Sequence, residues 1–327
     1  MANKKKSFSI SDYSKYMCLI SIVLVFGIFS IVIPNFIGAY SLQNMMIEAA
    51  PLLLMAGGLS FVIYTGGIDL GAGPMVSCTC VLTGIYVARF GNVIIPIMLV
   101  VGLAMGLLNG LLVTKLKLPS FIVTLCTTNF WSYIALTLCP NGSEIIPMDK
   151  RFMVKWATQK VAGIPVVFII ALLGILLLFI FQQYTVYGKS IYAVGANVSA
   201  ARLAGVDTDK AQISAFVMSG ACSALAGAFY AYKLKSAVPT VGDALTLTAI
   251  ASVALGGTSM AGGRGSVLRT LIGVVTITGV TSGLNMMGVD PLWKNIVIGI
   301  ILIAAVCLNS DTKEKAGCGN PLLLLVD

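Results

Sequence analysis

The chain has 327 residues, 58% of them hydrophobic and only 10% charged, with a mean hydropathy of +0.97 and a net charge of +9. Soluble domains carry about 25% charged residues, so the composition places the chain among polytopic membrane proteins and leaves no polar stretch long enough for a separate soluble core. The positive charge then belongs to cytoplasmic loops rather than to a nucleic-acid footprint, and the absence of histidine removes histidine-based triads, most zinc sites and the commonest proton relay.

A span needs roughly 20 apolar residues, fewer where helices are broken or half-buried. Residues 1–15 read as a cytoplasmic segment. Residues 16–33 read as a retained first span, because the apolar run is too long for a signal-peptide core and no small-x-small cleavage site follows it. Further spans are expected over 43–64, 74–88, 92–114, 119–138, 163–182, 211–231, 244–260, 267–287 and 292–308, with a cytoplasmic tail over 309–327. The expected fold is therefore an all-α polytopic membrane protein of about ten transmembrane helices, some short, with both termini cytoplasmic. On that topology thirteen of the 21 Lys and Arg lie inside and eight outside, a bias diluted by Lys150, Arg151, Lys155 and Lys160 in external segment 139–162. Cys78 and Cys80 are neighbours, but no second cysteine pair completes a metal site.

Two of the expected spans are interrupted by glycine. "TGGIDLGAG" (65–73) separates 43–64 from 74–88, and "GGTSMAGGRGS" (256–266) ends 244–260. Glycine lets helices approach closely and lets the chain leave helical geometry where neighbours satisfy the backbone. Gly-rich breaks in each half are what a transport pathway with internal duplication would carry, which marks Gly66, Gly67, Gly256, Gly257 and Gly263 as candidate pathway or hinge residues. Asp69 has two readings, a cap for the helix starting near Gly71 or a direct substrate contact. Thr124, Asn129 and Asn285 are polar groups on apolar spans; interhelical hydrogen bonding and the lining of a sugar path both remain open for them.

Between two uncharged runs lies a polar island, "TVYGKSIYAVGANVSAARLAGVDTDK" (185–210). Its Gly188-Lys189-Ser190 resembles the tail of a phosphate-binding loop, but Gln183 stands where the first glycine is required and a membrane helix precedes it, so a nucleotide site fails. A short helix over 198–204 fits better, with Asn197 as N-cap and Gly205 as the left-handed stop. Ala200, Ala201 and Ala204 would give it a small face for docking a cytoplasmic partner, with Arg202 directed outward; a merely solvated loop is the alternative.

Residues 65–73, 118–138, 187–210, 247–273 and 283–306, with their "GGIDL", "AGV" and "GGRGS" signatures, closely resemble ribose-type permease subunits of bacterial ABC importers. That resemblance implies a ten-span permease domain over 16–308, working as a homo- or heterodimer in the bacterial inner membrane. It implies a separate cytoplasmic ABC ATPase that carries the ATP and Mg, and an extracytoplasmic sugar-binding protein delivering a ribose-like pentose or related sugar. No cofactor in this chain, no catalytic activity and no nucleic-acid partner are implied, only lipid around the spans. Segment 184–210 becomes the coupling loop, in which Gly195, Asn197, Ala201, Arg202, Gly205 and Val206 match the part that docks into the ATPase.

The chain departs from the family pattern at Gly71-Ala72-Gly73-Pro74, at Thr246-Leu247-Thr248, where relatives often carry acidic side chains, and at Arg269 in place of a small residue. Permeases for branched-chain amino acids or another small polar solute are the nearer alternative. An ion-coupled carrier is the more distant one, since Glu48, Asp69, Asp243 and Asp290 all lie near span ends.

Overall fold

The computed structural model describes residues 10–317, with side chains over 19–290 and 292–307. Residues 1–9 of the expected N-terminal segment and 318–327 of the expected tail lie outside the described residues. The chain runs α1 (Ile10–Val32), α2 (Ala39–Tyr64), α3 (Ala72–Phe90), α4 (Ile94–Leu116), α5 (Ser120–Leu138), β1 (Glu144–Ile145), α6 (Phe152–Lys155), β2 (Lys160–Val161) and β3 (Ile164–Pro165). It continues with α7 (Val166–Tyr184), α8 (Val186–Ala196), α9 (Val198–Leu203), α10 (Thr208–Leu234), β4 (Ser236–Ala237), α11 (Leu245–Leu255), α12 (Val267–Met286) and α13 (Pro291–Gly317).

Among the described residues, six stretches are long and apolar enough to cross a membrane, and one of them, Ala72–Leu116, is α3 and α4 joined through a tight turn at Gly91–Val93. Leu19–Val32, α11 and Leu292–Cys307 are shorter apolar helices. The expectation for 244–260 is corrected: only Leu245–Leu255 is helical, because the chain turns out of the helix at Gly256 and Gly257 takes a left-handed φ of 76°. Helix α13 continues to Gly317, past the end expected at 308.

Helix α10 forms the centre of the bundle, packed against α2, α3 and α4. The sequence allows that closeness on α4, where Gly102, Gly106 and Gly110 recur every fourth residue. Their Cα faces meet the backbone of Gly220, Phe216 and Ile213 on α10, so the two helices approach without intervening side chains. Helix α5 is the opposite case, with Phe121, Leu125, Phe130 and Tyr133 turned outward. At one end of the bundle β1 pairs with β4 and β2 with β3, both antiparallel. The opposite end carries both glycine breaks and the polar island.

Candidate functional site

Both breaks come together. Gly263 N donates to Tyr64 O at 2.9 Å, tying the loop after α11 to the last residue of α2. A side-chain carbon at Gly262 would lie 2.7 Å from Gly66 N and 3.0 Å from Gly195 O. Gly195 enters from α8, and a carbon added there would sit 2.6 Å from Gly263 N and still closer to Tyr64 O. Three segments far apart in sequence therefore meet backbone to backbone, at a spacing only glycine permits. In the first break it is Gly66 that takes the left-handed conformation, with φ 80°; Gly67 does not, and packs instead against Ser120 Oγ.

The first break is held from two further helices. Ile68 N donates to Ser120 Oγ at 3.0 Å, and Thr124 Oγ1 donates to Ile68 O at 3.1 Å, both from α5. Asp69 is 1% exposed; its Oδ1 accepts from Gly71 N at 3.0 Å and its Oδ2 from Ser219 Oγ of α10 at 2.8 Å. The carboxylate is thus committed to fixing the turn into α3 and fastening it to the central helix. Asn109 of α4 is buried beside Gly71 without a hydrogen-bond partner among the described residues. Just beyond, Gly73 N donates to Thr246 Oγ1 at 3.1 Å and Gly242 N to Ser77 Oγ at 2.9 Å, joining the starts of α3 and α11.

The polar island is two capped helices. Thr185 Oγ1 accepts from Gly188 N at 3.0 Å, which starts α8, so Gly188-Lys189-Ser190 lies inside a helix whose amides are already used. Asn197 Oδ1 accepts from Ala200 N at 3.0 Å, and Gly205, with φ 81°, ends α9 as Val206 N bonds Ala201 O at 3.0 Å. The helix expected at 198–204 is present; of its expected small face Ala200 and Ala204 are exposed, but Ala201 is corrected, being 5% exposed and packed into the core, not offered to a partner. Ser199, Ala200, Arg202 and Ala204 are also exposed, and the large apolar side chain among them is Leu203 at 91% exposure; Tyr184 and Val186 are exposed at the start of the same segment. Arg202 reaches Thr208 Oγ1 at 3.1 Å. Asp207 caps α10 through Lys210 N at 3.0 Å and pairs with Lys210 Nζ at 3.1 Å, contacts that hold its carboxyl below the usual range. A cavity of about 800 Å³ runs from Thr65, Gly66 and Gly67 to Lys117, Arg202, Asp207 and Asp209, so island and first break line one recess.

The family described as "Branched-chain amino acid transport system / permease component" matches residues 41–306, an interval that contains both breaks and the island. The chain belongs to this permease family. It is similar to the ribose import permease protein of Bacillus subtilis (strain 168), 35% identical over 88% of this chain and 90% of that one. It is likewise similar to the ribose import permease protein of Escherichia coli (strain K12), 31% identical over 91% and 93%. A fructose import permease protein of Rhizobium meliloti is 30% identical over 91% and 86%. No solved structure matches the chain.

In this permease several expected pathway residues do not join the cluster. Asn129 is exposed on the outward face of α5, its Nδ2 only 3.4 Å from Leu125 O of the same helix. Asn285 lies at the far end of α12 and accepts from Lys294 Nζ of α13. Gly256 packs against the backbone of Arg269 and Thr270 rather than against the first break. Tyr64, Ser120, Gln182 and Tyr192 do belong to the cluster, and sequence reasoning passed over them. Tyr64, Ser120 and Gln182 each sit at the edge of an apolar run, where a lone polar residue resembles an ordinary helix terminus, and Tyr192 lies inside the island, where nothing local marks it.

Proposed function

We propose that this chain is the membrane-spanning subunit of an ATP-driven bacterial importer for a monosaccharide, a ribose-like pentose or a related sugar. In this reading ten helices cross the inner membrane with both termini cytoplasmic. A second permease subunit completes the pathway, an extracytoplasmic binding protein delivers the sugar, and residues 184–210 dock onto a separate ABC ATPase that holds the ATP and Mg. The observation that carries the reading is the capped helix α9, which displays Leu203 outward while Ala201 packs into the core and the helix lines one recess with the first break. Leu203 is one of several large apolar side chains exposed on this polar segment, with Tyr184, Val186 and Tyr187, and such side chains are what a partner's groove would bury. The ribose and fructose names of the relatives favour a sugar over the amino acids in the family description. Substrate motion would follow from rearranging the glycine breaks, where helix ends meet without side chains between them.

Leu203→Glu tests the docking. The variant is expected at wild-type levels in the membrane, because its side chain contributes almost nothing to the fold. Affinity for the ATPase should fall by about 30-fold, the loss of one central hot-spot contact. Co-purification and ribose uptake measure it, and full uptake with the ATPase still bound would refute docking through α9. The topology has its own check. Single cysteines placed in a cysteine-free background at Ser143 and Ser199, both exposed, should react with an impermeant maleimide from outside only at Ser143. Labelling of both, or of Ser199 alone, would overturn the ten-span arrangement.

A further inference from the structure

We propose that Gln182 and Tyr192 are positioning residues that make α8 and the second glycine break move as one body, so that the island can pull on the pathway as well as push it. The inference rests on the transport function proposed above. Gln182, at the end of α7, is 7% exposed, and both arms of its amide are used. Its Oε1 accepts from Val267 N at 3.0 Å, and its Nε2 donates to Tyr192 Oη at 2.7 Å. The amide orientation is set by the partners, since a backbone N–H can only donate. Tyr192 Oη then donates to Gly265 O at 3.0 Å. The bonds connect the end of α7, the middle of α8 and the first residue of α12, and the bonded backbone groups at 265 and 267 flank Ser266, which leads into α12. The ring of Tyr192 also stacks on Tyr64, the last residue of α2, with centroids 4.9 Å apart and planes 22° from parallel.

Two kinds of contact therefore join α8 to the breaks, and they transmit opposite forces. Gly195 of α8 meets Tyr64 and Gly263 only sterically, since the hydrogen bond there joins the two breaks to each other, and hard-sphere contact resists approach but not separation. The Gln182–Tyr192 bonds resist separation, because pulling α8 away would strip partners from buried donors and acceptors in surroundings of low dielectric. An import cycle must both open and close its pathway, so a push-only joint would lose half of the stroke. Tyr187, on the same α8 helix but half-exposed, has no such connection to the break and serves as the control.

The test uses the permease reconstituted with its co-purifying ATPase and binding protein, with radiolabelled ribose as the sugar. Tyr192→Phe removes one oxygen and Gln182→Leu removes the amide; both should keep ATPase binding. ATP hydrolysed per ribose imported should rise by at least about fivefold, the low end of coupling effects. The double variant should be no worse than either single change, and Tyr187→Phe should match wild type. Unchanged stoichiometry, or uptake and hydrolysis lost in equal proportion, would overturn the link in favour of a packing role. If Gln182→Leu fails to fold, Tyr192→Phe alone decides. A second readout needs no partner: in the isolated permease, Tyr192→Phe should speed amide hydrogen exchange at Gly265 to Val267 by about tenfold. Unchanged exchange there refutes the link even if wild type proves not to import ribose, an outcome that would count separately against the transport function.

Discussion

Gly195→Ala is expected to abolish sugar uptake and to leave little folded permease, although it adds a single methyl group near the end of α8. The added carbon would lie 2.6 Å from Gly263 N and well inside contact distance of Tyr64 O. Both neighbours are backbone, so no rotamer change relieves the clash. Overpacking a well-filled core costs about 1–3 kcal/mol, and this site belongs at the upper end because three segments would have to separate together. Separation would also lengthen the Gly263 N to Tyr64 O bond that closes the two breaks on each other. Gly205→Ala is the contrasting case. There the added carbon meets open space, and the penalty comes from the left-handed φ of 81° alone, about 1 kcal/mol. Thermal stability in detergent and uptake in vesicles should therefore separate the two: a severe loss at Gly195, a modest shift at Gly205. Equal behaviour would mean that the junction is looser than its geometry implies.

Much of this architecture could be read in the sequence because membrane helices announce themselves by length and apolarity. The two glycine clusters were equally visible, since nothing else in an apolar chain explains so many glycines around single polar residues such as Asp69. What could not be read is that the clusters meet. Contact between 64–66, 195 and 262–263 is a property of packing, and no local pattern in any of the three segments points to the other two. Helix α8 escaped for a different reason: glycine disfavours a helix interior, yet here Gly188 leaves room for the end of α7 and Gly195 lets the helix rest on Tyr64. Asn109 illustrates the same limit, as its burial beside Gly71 depends on the close approach of α4 to α10 and α3.

Helix α9 gives the sharpest lesson, and the second large effect follows from it. In "VSAARLA" the small residues look like a docking face, because six residues contain too few turns for a hydrophobic stripe to declare which side is inward. In the folded chain only Ala201 of the three alanines is inward, and Leu203 is outward with Ala200 and Ala204, inverting the expectation that large apolar side chains lie inside. Ala201→Glu should therefore act on folding rather than on docking. It places a carboxylate among core residues with no cation shown to pair with it, a change that costs about 3–5 kcal/mol when a buried charge goes uncompensated. The good helix propensity of glutamate offsets almost none of this. Expected outcomes are a large drop in membrane levels, aggregation on size-exclusion chromatography and no uptake, in contrast to the stable but uncoupled Leu203→Glu. A well-folded Ala201→Glu that merely loses its ATPase would show that the alanine face turns outward in the working permease, and that α9 rotates about its axis between states.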